Sequence, residues 1–293
     1  MDTLMKTRAE DKFVTVDGLK IRYIEAGSGP VVLFTHGASI GSSADVFQRN
    51  LPQFAEAGFR AIAFDFAGYG RSEVGSDLSL NFQREQLPKF MDALGIKQAA
   101  LLAHSRSGGF AMQLALKDPA RYSRVVILGT GTMLPPLEGD VEGRYAGVQA
   151  RVDKELAQTE PSIEDTRKLM QADLFHTELV TDDELALRHS HSIGKNFQTF
   201  VTRAKAEGLG GAPKPEAPAN PPKPMWQRLG ELKMPLMLLF GRQDRARAGE
   251  RAEMFKKQQP QLNLNIIEGC KHMVPWDAYD QLTTMVIPFL KKT

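Results

Sequence analysis

Six short apolar runs, each closing on a glycine or a small polar residue, constrain this chain more than any other feature. They are PVVLFTHG (30–37), FRAIAFDFAG (59–68), QAALLAHS (98–105), YSRVVILGTG (122–131), MPLMLLFG (234–241) and LNLNIIEG (262–269). A short run that stays apolar without alternating is out of water on both faces, as the strands of a parallel sheet are. Helical patterns fall between most of the runs, at 82–94, 106–117 and 249–258, with another at 279–291. Parallel neighbours need a long crossover, and a helix is the usual one. The expected fold class is therefore α/β, a doubly wound and mostly parallel sheet. A hairpin precedes it: FVTVDGLKIRYIEAG (13–27) alternates apolar and polar residues on both sides of Asp17-Gly18, a dipeptide suited to the tight turn of paired strands.

The strand–helix alternation stops between about Thr132 and Met225. Helical periodicity is present there around 143–157, 162–174 and 181–206, with no convincing strand. The expectation is a core built from 1–134 and 226–293, with 135–225 inserted as a helical cap. The cap would end in GLGGAPKPEAPANPPKP (208–224). Proline at that density excludes helix and sheet and leaves an extended loop.

Composition narrows the partners. A net charge of +2 over 293 residues gives no electrostatic case for nucleic acid or an anionic membrane surface. The lone Cys270 rules out an intrachain disulfide framework and fits a reducing compartment. The start, MDTLMKTRAEDKF, has no apolar signal core, and no apolar run reaches membrane-spanning length. A cytoplasmic protein acting on a small molecule is expected, with no cofactor or metal and with homo-oligomers left open.

In such a sheet, reactive groups gather beyond the carboxyl ends of the strands. His36, Asp65, Ser105, Asp244 and His272 fall there. Two serines compete in LLAHSRSGGF (101–110). Ser107 has the better glycine two residues on, but it would leave three polar residues between strand and turn and shorten the following helix. Ser105 follows the strand at once, with small residues, Ala103 and Ser107, at two before and two after. A lone serine here would ordinarily be a helix N-cap. Ser105, however, is followed in chain order by Asp244 in LLFGRQDR and His272 in EGCKHMVPW. Serine, acid and histidine in that order, with the serine on a strand-to-helix turn, point to Ser105 as nucleophile, His272 as its base and Asp244 as the group orienting the imidazole. The backbone N–H groups of Arg106 and Ala38 are the candidate oxyanion donors.

Together, FTHGASIGSSADVF, FDFAGYGRSE, AHSRSGGFAMQLALKDPARYSRVVILG, FGRQDR and GCKHMVPWD resemble an α/β-hydrolase. Within that superfamily the chain most resembles the meta-cleavage-product hydrolases, which cut a carbon–carbon bond in 2-hydroxy-6-oxo-dienoates. The resemblance implies an α/β-hydrolase fold with an inserted cap, and an anionic small-molecule substrate. It also implies three binding residues: Trp276, four residues after His272; Arg188 in FHTELVTDDELALRHS (175–190), in the place of the family's carboxylate-binding arginine; and Phe175, in the place of an apolar cap residue lining the pocket. Spacing alone also allows Arg188 to pair with Glu184 on a solvated helix face. Where the family has Gly-Asn-Ser-x-Gly, this chain has Ala103-His104-Ser105-Arg106-Ser107. A carboxylesterase or lactonase on the same residues, and a small-molecule receptor on a hydrolase scaffold, are the competing readings.

Overall fold

The computed structural model describes residues 8–138, 160–209 and 222–292. Eight strands form one sheet: β1 (Lys12–Val16), β2 (Leu19–Ala26), β3 (Val31–Thr35), β4 (Arg60–Phe64), β5 (Ala99–His104), β6 (Tyr122–Leu128), β7 (Leu236–Gly241) and β8 (Leu264–Ile267). Their order is β1-β2-β4-β3-β5-β6-β7-β8. β2 runs antiparallel to both of its neighbours, and every pairing from β4 to β8 is parallel. The hairpin turns at Asp17 (φ 50°) and Gly18 (φ 80°), both left-handed, as a two-residue turn matched to strand twist requires. This is the α/β sheet expected from the apolar runs.

Each central strand serves two cores. Leu101 and Ala103 of β5 join one buried cluster, with Leu33, Val125 and Leu238. Ala100 and Leu102 join the other, with Val32, Phe34, Val126 and Leu239. The period-two alternation of side chains sends neighbours to opposite faces, and helices cover both, so the strands read as unbroken apolar runs. Helices α1 (Leu51–Glu56), α2 (Leu80–Ala93) and α3 (Arg106–Lys117) connect the first strands. α1 is six residues long, opened by Pro52 at its first turn. A helix so short leaves no periodicity to detect.

Between β6 and β7 the described residues contain helices and no strand. They are α4 (Ile163–Asp173), α5 (Asp182–Ser190) and α6 (Lys195–Ala206). The helical stretch at 143–157 and most of the proline-rich segment fall outside the described residues. The single run expected over 181–206 is two helices. Thr181 caps the first by accepting from the Glu184 N–H, and Gly194 (φ 61°) breaks the path before the second. α7 (Ala248–Gln258) packs beside β7 and β8, and a helical C-terminus runs from Tyr279 to Lys291 through a π-helical turn at Leu282–Val286.

A buried arginine ties β2, one strand in from the sheet edge, to the loops after β3 and β4. Arg22 of β2 is 2% exposed. Its two terminal nitrogens donate to the two Asp45 carboxylate oxygens at 2.8 Å each, and its Nε donates to Asp11 at 2.7 Å. Asp65, just after β4, lies 3.4 Å from the same guanidinium and accepts the Ala44 N–H at 2.6 Å. Burial acts to raise the Asp45 pKa, but the Arg22 hydrogen bonds and charge outweigh it, and the net shift is downward. For Asp65 burial dominates and pushes the value up to about 6. Asp45→Ala, which strips the bidentate partner from a buried cation, is expected to cost about 3–5 kcal/mol of stability at neutral pH. Urea unfolding measures it, and a loss below about 1 kcal/mol would mean that Arg22 needs no such partner.

Candidate active site

The strand order reverses between β3 and β5, so the crevice beyond their carboxyl ends is where a ligand is expected. Ser105 sits there, between β5 and α3, at φ 59° and ψ −124°. This region is open to glycine and strained for a side-chain-bearing residue, at a cost of order 1–3 kcal/mol. The surroundings impose it. The Ser105 N–H donates to Leu128 O at 2.8 Å, and Thr130 Oγ1 donates to Ser105 O at 2.6 Å. A methyl on Gly108 would come within 2.1 Å of Thr130 Oγ1 and 2.7 Å of Ile127 Cγ2, and one on Gly37 within 3.0 Å of Ser105 Cβ. Helix α3 therefore enters against β6 at a distance that only glycine permits at position 108.

The Ser105 hydroxyl does not cap α3. It lies 3.0 Å from His272 Nε2, and His272 Nδ1 lies 3.0 and 3.1 Å from the two Asp244 carboxylate oxygens. His272 and Asp244 are 6% and 7% exposed. The loops carrying them are stitched together: the Gln243 N–H donates to Cys270 O at 3.0 Å, and the Cys270 N–H donates back to Gln243 Oε1 at 3.1 Å. The Arg245 N–H holds one Asp244 oxygen at 2.7 Å. In this line Asp244 accepts the Nδ1 proton, which leaves Nε2 basic and facing the hydroxyl.

Ser107 is elsewhere. Fully buried, its Oγ lies 2.8 Å from Thr35 O, 2.9 Å from His104 O and 3.0 Å from Thr35 Oγ1, so it pins β3 to the start of α3. Two other histidines brace the site in neutral form. His36 has its pKa pushed down to about 3, chiefly by burial. Its Nε2 accepts from the Phe66 N–H at 3.2 Å, so its Nδ1 carries the proton given to Gly37 O at 2.7 Å. His104, also lowered to about 3 by burial and by the neighbouring His272, donates from Nε2 to His272 O at 2.8 Å. Its place before the serine gave no hint of that task.

Ala38 and Arg106 line the cleft with Ser105 and His272. Arg106 is the first residue of α3, where backbone N–H groups lack intrahelical partners and the helix dipole favours negative charge. The Ala38 carbonyl accepts from Tyr69 OH at 3.4 Å, which orients that peptide. Among the described residues the cleft has a volume of about 560 Å³. Its walls include Leu80, Phe110, Phe200, Leu209 and Met225, with Tyr69, Arg203 and Glu207. Phe200, Arg203 and Glu207 recur at helical spacing in the sequence, a stripe of α6 and the residue after it; periodicity located the helix but not the face it turns to the cleft.

Arg188 and Trp276 belong to a smaller adjoining cavity, with Gly41, Val46, Leu174, His191 and Met273. It flanks the same two loops as the cleft, since Ser39 and His272 line one space and Gly41 and Met273 the other. Trp276 is fixed by a 2.8 Å hydrogen bond from Nε1 to Val46 O. The Glu184 carboxylate lies 3.1 Å from Arg8 and 3.7 Å from Arg49. Phe175 is a correction: it is 46% exposed and lines neither space. The chain buries Leu174 against Trp276 and Met170, and the Phe175 and His176 N–H groups are held by Asp277, which turns the Phe175 ring outward.

A family model described as alpha/beta hydrolase fold matches residues 30–279, and the chain belongs to that family. Among curated proteins it is 27% identical to the 2-hydroxy-6-oxononadienedioate/2-hydroxy-6-oxononatrienedioate hydrolase of Burkholderia vietnamiensis strain G4, over 99% of both chains. It is also 27% identical to the 2-hydroxy-6-oxo-6-phenylhexa-2,4-dienoate hydrolase of Comamonas testosteroni, over 93% of this chain and 91% of the relative. The solved structure of the 2-hydroxy-6-oxo-6-phenylhexa-2,4-dienoate hydrolase from Rhodococcus sp. strain RHA1 superposes with a TM-score of 0.74 at 20% identity, covering 98% of this chain and 100% of that one. The chain is thus a hydrolase of the α/β family whose curated relatives include meta-cleavage product hydrolases. No described helix is long and apolar enough to cross a membrane.

Because Ser105 is held in a strained conformation, Ser105→Gly is expected to raise the thermal midpoint while removing the hydroxyl. Calorimetry on the two proteins tests this, and a lower midpoint for the glycine variant would mean that the turn is not strained.

Proposed function

We propose that the chain hydrolyses the C5–C6 bond of a 2-hydroxy-6-oxo-dienoate, with Ser105 as nucleophile, His272 as general base and acid, and Asp244 orienting the imidazole. The observation that carries the reading is the hydrogen-bonded line Ser105–His272–Asp244 at the floor of the cleft. The relatives named above support the substrate class.

The 2-hydroxy-dienoate first moves its enol proton to C5, giving the 2-keto form. His272 then takes the Ser105 hydroxyl proton as Oγ adds to the C6 carbonyl. Oxygen gains the charge, and the N–H groups of Ala38 and Arg106 receive it; each such donor is worth roughly 2.7–4 kcal/mol in the transition state. The C5–C6 bond breaks with its electron pair passing through C4 and C3 to the C2 oxygen, and the proton that His272 took from Ser105 goes to the leaving fragment, giving a 2-hydroxy-pentadienoate and a neutral His272. Water, deprotonated by His272, releases the remaining acyl group from Ser105 as a carboxylate. Arg188 and Trp276, in the adjoining cavity, hold the dienoate carboxylate end. A guanidinium suits that task because it pairs with carboxylate through two parallel hydrogen bonds.

The test offers purified enzyme a 2-hydroxy-6-oxo-dienoate and a neutral aryl ester. Loss of the dienoate absorbance with release of the C6 acid is the expected result. Ser105→Ala should lower turnover by several orders of magnitude and Ser107→Ala by far less. Turnover of the ester with none of the dienoate would leave an esterase.

Arg188→Gln should reduce kcat/KM on the dienoate by about 10- to 150-fold, the range for a lost charged hydrogen bond, and leave the neutral ester within a few fold. Equal losses on both would place Arg188 outside substrate binding.

A further inference from the structure

Four arginines line the cleft: Arg106, Arg203, Arg245 and Arg251. Three are held by acceptors of the protein. Arg106 pairs with Glu207 across the cleft, and Arg245 lies 3.6 Å from Asp173. Arg251 donates to the carbonyls of Pro135, Gly131 and Leu134 at 2.9, 2.7 and 2.6 Å. Arg203 differs. It is 3% exposed, and among the described residues its partners are uncharged. Its guanidinium lies over the Tyr69 ring, 4.1 Å from the centroid. With the Gln83 amide turned so that its oxygen faces Arg203, Nε and Nη1 donate to it at 3.1 and 2.9 Å. Nη2 is buried with no hydrogen-bond partner among the described residues.

A buried guanidinium whose direct partners are uncharged and which keeps an unused donor is an unfavourable arrangement for the empty site. It becomes favourable when an anion occupies the adjoining space. The Tyr69 ring under the guanidinium also carries the hydroxyl that orients Ala38 O. Arg203 therefore serves the Ser105 side of the site, whereas Arg188 lines the other cavity. A substrate bound across Ser105 meets the buried Arg203 at one end and the partly buried Arg188 at the other.

We infer that Arg203 binds a second carboxylate, borne by the acyl portion of the substrate, and so selects a diacid over a monoacid. This rests on the dienoate reading of the site. Arg203 acts here as a specificity residue for the fragment that becomes attached to Ser105. For a 2-hydroxy-6-oxononadienedioate, cleavage between C5 and C6 makes that fragment a succinyl group with a free carboxylate. For a 6-phenyl dienoate it is a benzoyl group with none.

The experiment compares wild type with Arg203→Gln and Arg203→Lys on four substrates: the nonadienedioate, the 6-phenyl dienoate, an aryl hemisuccinate and the matching aryl butyrate. Wild type should favour each acid-bearing acyl group over its neutral counterpart. Arg203→Gln should lower kcat/KM by about 10- to 100-fold on the nonadienedioate and hemisuccinate, as expected for a lost charged contact, and by less than about threefold on the other two. Arg203→Lys should recover part of the loss. Equal losses on all four substrates would make Arg203 a brace for Tyr69 and overturn the inference. Should the variants fail to fold, inhibition of wild type by succinate and by butyrate decides: succinate should bind at least about tenfold tighter, and equal inhibition overturns the proposal. If neither dienoate is cleaved while the hemisuccinate effect persists, the carbon–carbon reading fails and the assignment of Arg203 as a carboxylate site stands.

Discussion

The positive φ of Ser105 is the constraint on which the rest of the site depends. It puts Oγ at the top of the sheet, clear of the helix it precedes. A side chain there tolerates such a backbone only when its surroundings over-determine it. Here they do so from three directions: β6 through Leu128 O and Thr130, α3 through the close approach of Gly108, and the loop after β3 through Gly37. The turn manages without glycines at two before and two after because Ala103 is small and Ser107 satisfies its hydroxyl on Thr35 and His104. The glycine that matters has moved one residue along, to position 108.

Electrostatics complete what packing begins. Burial keeps His36 and His104 neutral, so both act as fixed donors, one to the loop after β3 and the other to the backbone of His272 itself. In that form neither brace puts a positive charge beside His272. Arginines stand around the site: Arg188 in the small cavity, and Arg106, Arg203, Arg245 and Arg251 along the cleft. Glu207 meets Arg106, Asp173 lies 3.6 Å from Arg245, and backbone carbonyls take the Arg251 donors.

Much of this was legible in the sequence, for identifiable reasons. Strands buried on both faces appear as unbroken apolar runs, and the turns after them carry the reactive residues. Register separates Ser105 from Ser107, because Ser105 comes directly after the strand while Ser107 is the second residue of α3, and it is Ser105 that lies within hydrogen-bond reach of His272. Side-chain direction was not legible. Leu174 and Phe175 are adjacent and both apolar, and it is Leu174 that packs inward where the Phe175 and His176 N–H groups donate to Asp277. Nothing in the sequence separates Arg203 from the other basic residues of its helix, Lys195 and Lys205. Its burial against Tyr69 and Gln83 is set by elements far apart in sequence, which no local pattern reports.

Ser105, activated by His272, is the proposed nucleophile. The most direct measurement is reaction of the protein with an aryl phosphonate ester, followed by peptide mass spectrometry. A single adduct on Ser105 is expected, formed rapidly in wild type and suppressed by orders of magnitude in His272→Ala. An adduct on Ser107, or labelling of Ser105 that is as fast without His272, would contradict it.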